Sequence, residues 1–372
     1  MRQIMTTTLQ SPTAASLLSW YDHHHRDLPW RVSPPMAAKG VKPDPYRIWL
    51  SEVMLQQTTV PAVKAYFKKF LERWPTVGDL AAAANDDVMA AWAGLGYYAR
   101  ARNLKKCAEA VAAEHGGRFP DTEDGLRSLP GIGDYTAAAV AAIAFNRQAA
   151  VMDGNVERVI SRLYAISTPL PAGKPQMKQK VALLTPADRP GDFAQAMMDL
   201  GATICTPKRP ACSLCPFNGA CEALAAHDPE HFPVKAAKKD KPMRQGAAFI
   251  AVNGDGEIYL RRRIPSGLLG GMTEVPTTGW TARIDGETST DAAPFAAEWQ
   301  PAGTVTHVFT HFELRLSIYR AQTSSNMNNH DGWWEPVTNL EEQALPTVMK
   351  KAIAQAIPNA FAKTPIREKI RN

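Results

Sequence analysis

The chain has 372 residues, of which 45% are hydrophobic and 21% charged, which excludes general disorder and predicts two or three globular domains. Its net charge of +6 suits a polyanionic partner without requiring one. The longest apolar stretch, Ala137–Phe145, is too short to span a bilayer, so we expect no membrane partner. The first residues have no apolar signal core, so we expect a cytoplasmic, reducing environment.

An amphipathic helix is predicted from Ala14, and it leads to His23, His24 and His25. Consecutive helical side chains point about 100° apart and cannot converge on one metal ion, so we interpret these histidines as solvated. The proline-rich residues 32–44 are interpreted as a loop.

The stretch Pro45–Thr58 has the spacing of a buried helix that is interrupted by one acid, Glu52. Apolar neighbours such as Leu50 and Val53 would desolvate this carboxyl group and raise its pKa, which suits a proton donor near neutral pH. A surface carboxylate is the alternative, and this segment alone favours that alternative.

Further helices are predicted over Pro61–Trp74 and Leu80–Ala93. A glycine turn at Gly94 then opens another helix with an aromatic pair, Tyr97 and Tyr98. Such rings can wedge into a base stack, although they more often pack in a core. We expect helices with short turns, and negligible strand, from position 14 to about position 225.

A helical hairpin is predicted in the middle of the chain. Asp121 is expected to cap a short helix that ends at Leu129, and Asp134 to cap the next. Between them, Gly131 and Gly133 permit a tight turn with positive φ and leave backbone N–H groups free to face an anion such as phosphate. An ordinary helix-to-helix connection is the alternative.

Cys205, Cys212, Cys215 and Cys221 form a proline-rich loop able to wrap one metal centre. A reducing compartment disfavours disulfides. Thiolate chemistry alone leaves both zinc and a [4Fe–4S] cluster open.

The composition changes after position 226. Residues 227–245 are basic, and we interpret them as a linker. From Ala247 the hydrophobic period becomes two, with a hairpin turning at residues 253–256 and a second strand pair near residues 303–319. A helix is predicted at Thr347–Ala356, so the region 246–360 is expected to be an α+β domain and the region 14–226 a helical one.

Several of these motifs together resemble one family. The segment Leu129–Ala137, followed by Asp153, is similar to the helix-hairpin-helix signature of the DNA glycosylase superfamily that includes endonuclease III. The cysteine spacing matches the cluster loop of that group. With Ser51–Thr58, Tyr135 and a second domain added, the chain resembles the adenine DNA glycosylase (MutY) family over nearly its full length. The resemblance implies a mainly α helix-hairpin-helix glycosylase fold with a four-cysteine [4Fe–4S] loop (205–221), and an α+β Nudix-like C-terminal domain.

The resemblance implies excision of adenine opposite 8-oxoguanine or guanine in double-stranded DNA by a flipped-base mechanism. Glu52 would be the general acid and Asp153 would stabilise the oxocarbenium-like sugar, with Tyr135 and Asn155 supporting the site. Endonuclease III-like enzymes carry a lysine at the position of Tyr135. A tyrosine cannot form a Schiff base, so base excision without strand cleavage is expected.

The remaining roles also follow from the resemblance. The residues expected around adenine are Arg26, Leu28, Trp30, Arg31 and Gln195. The residues expected on the duplex and opposite base are Leu55, Gln57, Thr58 and Tyr97, with Gly131 and Gly133 on a phosphate. The residues expected to read the lesion are His307, Phe309, Thr310 and His311, with threonine at 310 where the family often has serine. The four cysteines would hold the [4Fe–4S] cluster.

We expect the protein to be a monomer. We expect no pyrophosphohydrolase activity, because the paired glutamates of a Nudix box are missing from the sequence. The loop 32–44 is longer than the family connection and receives no role. A glycosylase-lyase that acts on oxidised pyrimidines and a non-catalytic cluster protein are the competing readings.

Overall fold

The computed structural model describes residues 9–236, 240–264, 267–323 and 332–361. Their contacts form two units. The first unit contains the described residues up to Ala83 and those from Asn103 to position 236. The second contains Ala84–Arg102 and the described residues from position 240 onward. None of the helices in the described ranges is long and apolar enough to cross a membrane.

Helices with short connections build the chain up to position 236. They are α1 (Ala14–His24), α2 (Pro34–Ala38), α3 (Pro45–Leu55), α4 (Val60–Arg73), α5 (Val77–Ala82), α6 (Asn85–Trp92), α7 (Ala99–Glu114), α8 (Glu123–Arg127), α9 (Asp134–Phe145), α10 (Gly154–Leu163), α11 (Lys174–Leu184), α12 (Pro190–Thr203) and α13 (Glu222–Ala225). This confirms the mainly α prediction for this part of the chain.

Two local predictions were wrong. The single helix predicted over Leu80–Ala93 is two helices, because the extended backbone of Ala83 and Ala84 separates α5 from α6. The predicted loop 32–44 contains the short helix α2. Pro34 suits its first position because a proline there has the fixed φ of a helix and lacks only an N–H that would be unbonded.

Helix α9 lies at the centre of the first unit and positions the site. Its residues from Thr136 to Ile143 are all buried, and it packs against α3, α8 and α12. Most of them are alanines, whose small side chains let neighbouring helices approach on several sides. The carboxyl-bearing helix α3 and the helix α12 therefore lie against the helix that begins at the hairpin.

The second unit contains a mixed sheet and helix α14 (Thr347–Ala356). Its strands are β1 (Met243–Val252), β2 (Glu257–Arg262), β3 (Thr273–Glu274), β4 (Gln300–Val308), β5 (Glu313–Gln322) and β6 (Gly332–Pro336). The order is β3-β2-β1-β5-β4, and β6 also pairs with β2. Strands β1 and β5 are parallel, and the other pairs are antiparallel. The α+β prediction is confirmed, although β1 begins inside the range predicted as linker.

The core of this sheet follows the period-two pattern. Ala248, Ile250 and Val252 alternate along β1 and are buried with residues of β5 and α14. On the opposite face of β1, Phe249 stacks on Tyr319 with ring centroids 5.6 Å apart. The sheet therefore has apolar packing on both faces of its central strand, which is why β1 reads as a nearly continuous hydrophobic run.

Candidate active site

The first unit contains a cavity of about 890 Å³, the active-site cavity, whose walls include α3, α9, α10 and α12. Fourteen residues that the sequence assigned to catalysis, adenine or DNA line it: Arg26, Leu28, Trp30, Arg31, Glu52, Leu55, Gln57, Thr58, Gly131, Gly133, Tyr135, Asp153, Asn155 and Gln195. The structure therefore brings together segments that are far apart in the chain.

Glu52 lies on α3 and is only 5% exposed, so the surface-carboxylate alternative is wrong. The hydroxyl of Tyr135 donates a hydrogen bond of 2.6 Å to its Oε2 atom. Burial raises the pKa of Glu52 to about 7, with a smaller contribution from the charge of Asp153, while the bond from Tyr135 and the charge of Arg31 oppose the rise. The group can therefore hold or release a proton near neutral pH.

Asp153 is the N-cap of α10. Its Oδ1 accepts hydrogen bonds from the backbone N–H of Asn155 at 2.9 Å and of Val156 at 2.8 Å, and its Oδ2 accepts one from the Asn155 side chain at 3.0 Å. Burial raises the pKa of Asp153, and these three hydrogen bonds oppose that rise. The positive end of the helix dipole also favours a negative charge here.

Of the two hairpin glycines, only Gly131 has the predicted positive φ. Gly131 has φ +74°, and a Cβ atom there would lie 2.5 Å from Cβ of Asn103. Both the backbone conformation and the close neighbour therefore require glycine at this position. Gly133 has φ −93°, so the expected positive φ is wrong for it. A Cβ on Gly133 would meet no atom within 4 Å, so its surroundings are open to a ligand.

Both predicted helix caps at the hairpin are wrong by one residue. Thr122, not Asp121, caps α8, because its side chain accepts from the N–H of Gly125. The carboxylate of Asp121 instead binds Arg147. Gly133 precedes α9 as its N-cap, and Asp134 is the first helical residue.

Asp199 is a buried acid of this region that the sequence interpretation missed. Its side chain is 0% exposed and accepts from Arg26 Nε at 2.7 Å and from Arg31 Nη1 at 2.8 Å. The backbone N–H of Arg26 also donates to it at 2.9 Å. The guanidinium groups of Arg26 and Arg31, which are expected to contact adenine, are therefore held in place by a buried carboxylate. An acid in the otherwise apolar stretch of α12 was a signal that could have found it.

Other residues of the active-site cavity were also missed. Gln56 donates to the hydroxyl of Thr136 at 3.2 Å. Lys174 and Glu157 line the cavity and form an ion pair of 2.6 Å. The amine of this lysine is therefore bound to a carboxylate.

The four cysteines lie in one loop, and the side chain of Arg162 donates hydrogen bonds to the first residues of this loop. This arginine is 2% exposed and donates to the Cys205 sulfur at 3.3 Å and to the carbonyls of Thr206 and Pro207 at 2.7 and 3.0 Å. Burial raises the pKa of the Cys215 thiol to about 12, and the charges of the other three cysteines raise it further. Across the described ranges, no three His, Cys, Asp or Glu side chains are placed to hold one metal ion.

The remaining predicted residues lie in the second unit and do not line the active-site cavity. Tyr97 is half exposed, with its hydroxyl 3.4 Å from that of Thr310. His307 packs edge-on against Phe309 with ring centroids 4.6 Å apart, and burial lowers the pKa of this histidine. His311 is exposed beside them. Tyr97 thus joins the group assigned to lesion reading.

The chain is similar to known proteins in both of its parts. A model of the HhH-GPD superfamily of base excision DNA repair proteins matches residues 50–186, and a NUDIX domain model matches residues 247–355. An adenine DNA glycosylase from Homo sapiens is 36% identical over 90% of this chain and 72% of its own length. An adenine DNA glycosylase from Buchnera aphidicola is 37% identical over 93% of this chain and 97% of its own length. The structure of a thermostable thymine-DNA glycosylase is similar over 57% of this chain and 95% of its own, with 30% identity and a TM-score of 0.51.

Proposed function

The chain belongs to the adenine DNA glycosylase family, whose members are hydrolases acting on N-glycosyl bonds, and we propose that it removes adenine mispaired with 8-oxoguanine or guanine from duplex DNA without cutting the strand. The observation that carries this proposal is the arrangement of two carboxyl groups on one cavity. Glu52 receives a hydrogen bond of 2.6 Å from Tyr135, and Asp153 caps the neighbouring helix.

Glu52 is the proposed general acid. Adenine is a poor leaving group until it is protonated, and the family resemblance assigns this protonation to N7. A carboxyl group with a pKa of about 7 carries the proton in a large fraction of molecules near neutral pH. Tyr135, whose own pKa burial raises well above its usual value, keeps its hydroxyl proton and donates it toward Glu52.

Asp153 is the proposed stabiliser of the positive charge that develops on the sugar. Its carboxylate is oriented by two backbone N–H groups and by the Asn155 side chain. A fixed negative charge near an oxocarbenium-like transition state lowers its energy without reorganisation during the reaction. Asn155 is therefore a positioning residue for this carboxylate.

The absence of strand cleavage is proposed from the amines available at the cavity. A glycosylase-lyase needs a neutral amine that attacks C1′ and forms a Schiff base. Tyr135 supplies a hydroxyl instead, and the amine of Lys174 is paired with Glu157 at 2.6 Å. Hydrolysis by water is thus the outcome that these side chains favour.

Recognition of the flipped adenine is proposed for Arg26, Leu28, Trp30, Arg31 and Gln195, which line the active-site cavity. Asp199 holds the two arginines at fixed positions. Leu55, Gln57 and Thr58 are proposed to contact the duplex, with Gln57 in a left-handed conformation of φ 55°. Gly131 and Gly133 are proposed to receive a phosphate, supported by the open space over Gly133.

Reading of the opposite base is proposed for the second unit. The hydroxyls of Tyr97 and Thr310, together with His307, Phe309 and His311, form one group there. We propose domain limits of 14–226 for catalysis, 227–245 for the linker and 246–360 for lesion recognition. Both matched family models fall inside the two domain ranges.

A [4Fe–4S] cluster is proposed at Cys205, Cys212, Cys215 and Cys221. The proposal rests on the spacing of these cysteines, which resembles the cluster loop of endonuclease III-like enzymes, and on the four thiols lying in one partly buried loop. Arg162, which donates to the Cys205 sulfur, would stabilise thiolate charge. The cluster would order the loop, and we assign it no step in the reaction.

The test is a single-turnover assay with a duplex that contains adenine opposite 8-oxoguanine. We expect free adenine, strand breaks only after alkali treatment, and no protein–DNA adduct after borohydride. Breaks without alkali, together with a trapped adduct, would favour the lyase. Because the substrate is DNA, we propose that the protein acts inside the cell, and we propose that it does so as a monomer.

A further inference from the structure

A second cavity of about 1020 Å³, the adjoining cavity, lies next to the active-site cavity in the first unit. Its walls come from the C-terminal end of α9, the N-terminal end of α12, and residues 32–43, which include α2. Ile143 and Gln195 line both cavities, so the two spaces meet at these side chains. The loop that received no role from the sequence thus builds one wall of this space.

The lining suits a flat ring with a polar edge. Pro34, Pro35 and Phe145 present apolar surfaces, and the amides of Asn146 and Gln195 are the neutral hydrogen-bonding side chains. A planar heteroaromatic molecule can bury its faces against prolyl and phenyl carbons while amide groups bind its edge.

Gln195 is the residue that links this lining to adenine. It is 4% exposed, its Nε2 donates to the Gly191 carbonyl at 3.3 Å, and its Oε1 has no hydrogen-bond partner among the residues that the structure describes. A buried amide oxygen without a donor is costly unless a ligand supplies one. Adenine offers its N6 amino group beside the N7 acceptor, which a glutamine amide can bind with both of its ends.

The wall on the α12 side is closely packed. A Cβ atom on Gly191 would lie 2.5 Å from the Ala142 carbonyl oxygen, so α12 approaches the backbone of α9 as closely as glycine allows. Arg189 binds Asp192 at 2.8 Å and also binds Asp22. These contacts favour a preformed cavity over a gap between loosely packed segments.

We propose that the adjoining cavity receives free adenine after hydrolysis and lets it leave while the product DNA is still bound. The inference rests on the proposed function. A base that enters by flipping comes through the mouth that faces the duplex, and bound DNA closes that mouth. None of the described residues that line the adjoining cavity belongs to the set assigned to the duplex or to phosphate.

The experiment uses the full chain and a duplex whose mispaired adenine carries a radioactive label, under single-turnover conditions. Quenched samples measure bond cleavage, and rapid nitrocellulose filtration measures the adenine that stays with the protein–DNA complex. Ala37→Trp fills the adjoining cavity from α2. Met36→Trp is the matched control, because Met36, like Ala37, is exposed on α2 but does not line the cavity.

We expect all three proteins to cleave at the same rate. Wild type and Met36→Trp release adenine as fast as they form it, whereas Ala37→Trp retains it at least tenfold longer. Equally fast release by Ala37→Trp overturns the exit route, while cleavage in the same samples upholds the glycosylase activity. Absence of cleavage by wild type refutes the proposed function and, with it, the exit route.

A binding measurement provides a second check that does not depend on turnover. Labelled adenine is dialysed against the protein bound to a duplex with a tetrahydrofuran abasic analogue. We expect wild type and Met36→Trp to bind about one adenine more than Ala37→Trp does. Equal binding by the three proteins overturns the inference.

Discussion

Helix α3 and the N-terminus of α10 each present one carboxyl group to the active-site cavity, and the two groups have different surroundings. Glu52 is buried in the interior of a helix and receives one side-chain hydrogen bond, from Tyr135. Asp153 is half-buried at a helix N-terminus and accepts three hydrogen bonds. Burial raises both pKa values, but only Asp153 has backbone donors and a helix dipole that stabilise its charged form.

The difference shows how one cavity can hold a protonated acid beside an ionised one. A carboxyl group without backbone donors keeps its proton to higher pH, and a carboxyl group at a helix cap loses its proton earlier. Pairs of titratable groups whose environments separate their pKa values are typical of acid–base sites. Substitutions of Glu52 and Tyr135 test the acid, a substitution of Asp153 tests the ionised carboxylate, and the pH dependence of the rate tests both groups.

Glu52→Gln should have the largest effect, because it removes the only proposed proton donor while retaining the side-chain shape. We expect adenine excision to fall by about 10³- to 10⁴-fold with binding to the mispaired duplex retained. Single-turnover rates and gel-shift binding measure the two effects. Glu72→Gln is the control, because the Glu72 side chain lies on the exposed face of α4. A near-normal rate for Glu52→Gln would remove Glu52 from its role.

Asp153→Asn should have the next largest effect. Asparagine is also a good N-cap, so α10 should stay intact while the negative charge near the sugar is lost. We expect excision to fall by about 10²- to 10³-fold with little change in thermal stability. Rates and melting temperatures distinguish the two effects, and a large loss of stability would point to a structural role instead.

The wild-type rate should depend on pH through the same pair. The acid acts when protonated, so the rate should fall about tenfold per pH unit above the Glu52 pKa of about 7. Asp153 acts when ionised, so the rate should also fall as the pH drops through its raised pKa. A profile between about pH 4 and 9 measures both limbs. A rate that stays constant through pH 9 would contradict the assignment of Glu52.

Tyr135→Phe should have the smallest effect. The lost hydrogen bond favours ionised Glu52, so its removal should raise the pKa of Glu52 and move the alkaline limb to higher pH. The change in rate at neutral pH should be roughly two- to tenfold. Tyr46→Phe, which loses a buried bond to the Trp74 carbonyl away from the cavity, is the matched control. Movement of the alkaline limb to lower pH would contradict the assignment of Tyr135 as the donor and Glu52 as the acceptor of this hydrogen bond.

Much of the fold could be predicted because its signals are local. The apolar run of α9, strand β2 and the helix Thr347–Ala356 lie where the patterns placed them, and β1 does so apart from its first residues. Helix breaks and caps were less predictable. Alanines separate α5 from α6 although both flanks favour helix, and Thr122 rather than Asp121 caps α8 because Asp121 binds Arg147.

The site was predicted as a set of residues, but its internal contacts were not. The motifs identified Glu52, Tyr135 and Asp153, and all three line one cavity. Asp199 was missed because its role depends on two arginines that lie early in the chain. The contribution of α2 was also missed, because proline-rich composition indicated only a loop.

By itself the sequence determined the helical character of the chain up to about position 225, the α+β character of the region that follows the linker, and the residue types available for acid–base chemistry, because periodicity and motif spacing are local properties. Only the tertiary structure decided that Glu52 is buried and bonded to Tyr135, which lies 83 positions later. It alone also placed Asp199 against Arg26, 173 positions away. Burial and charge pairing depend on which distant segments pack together, and no local pattern encodes that choice.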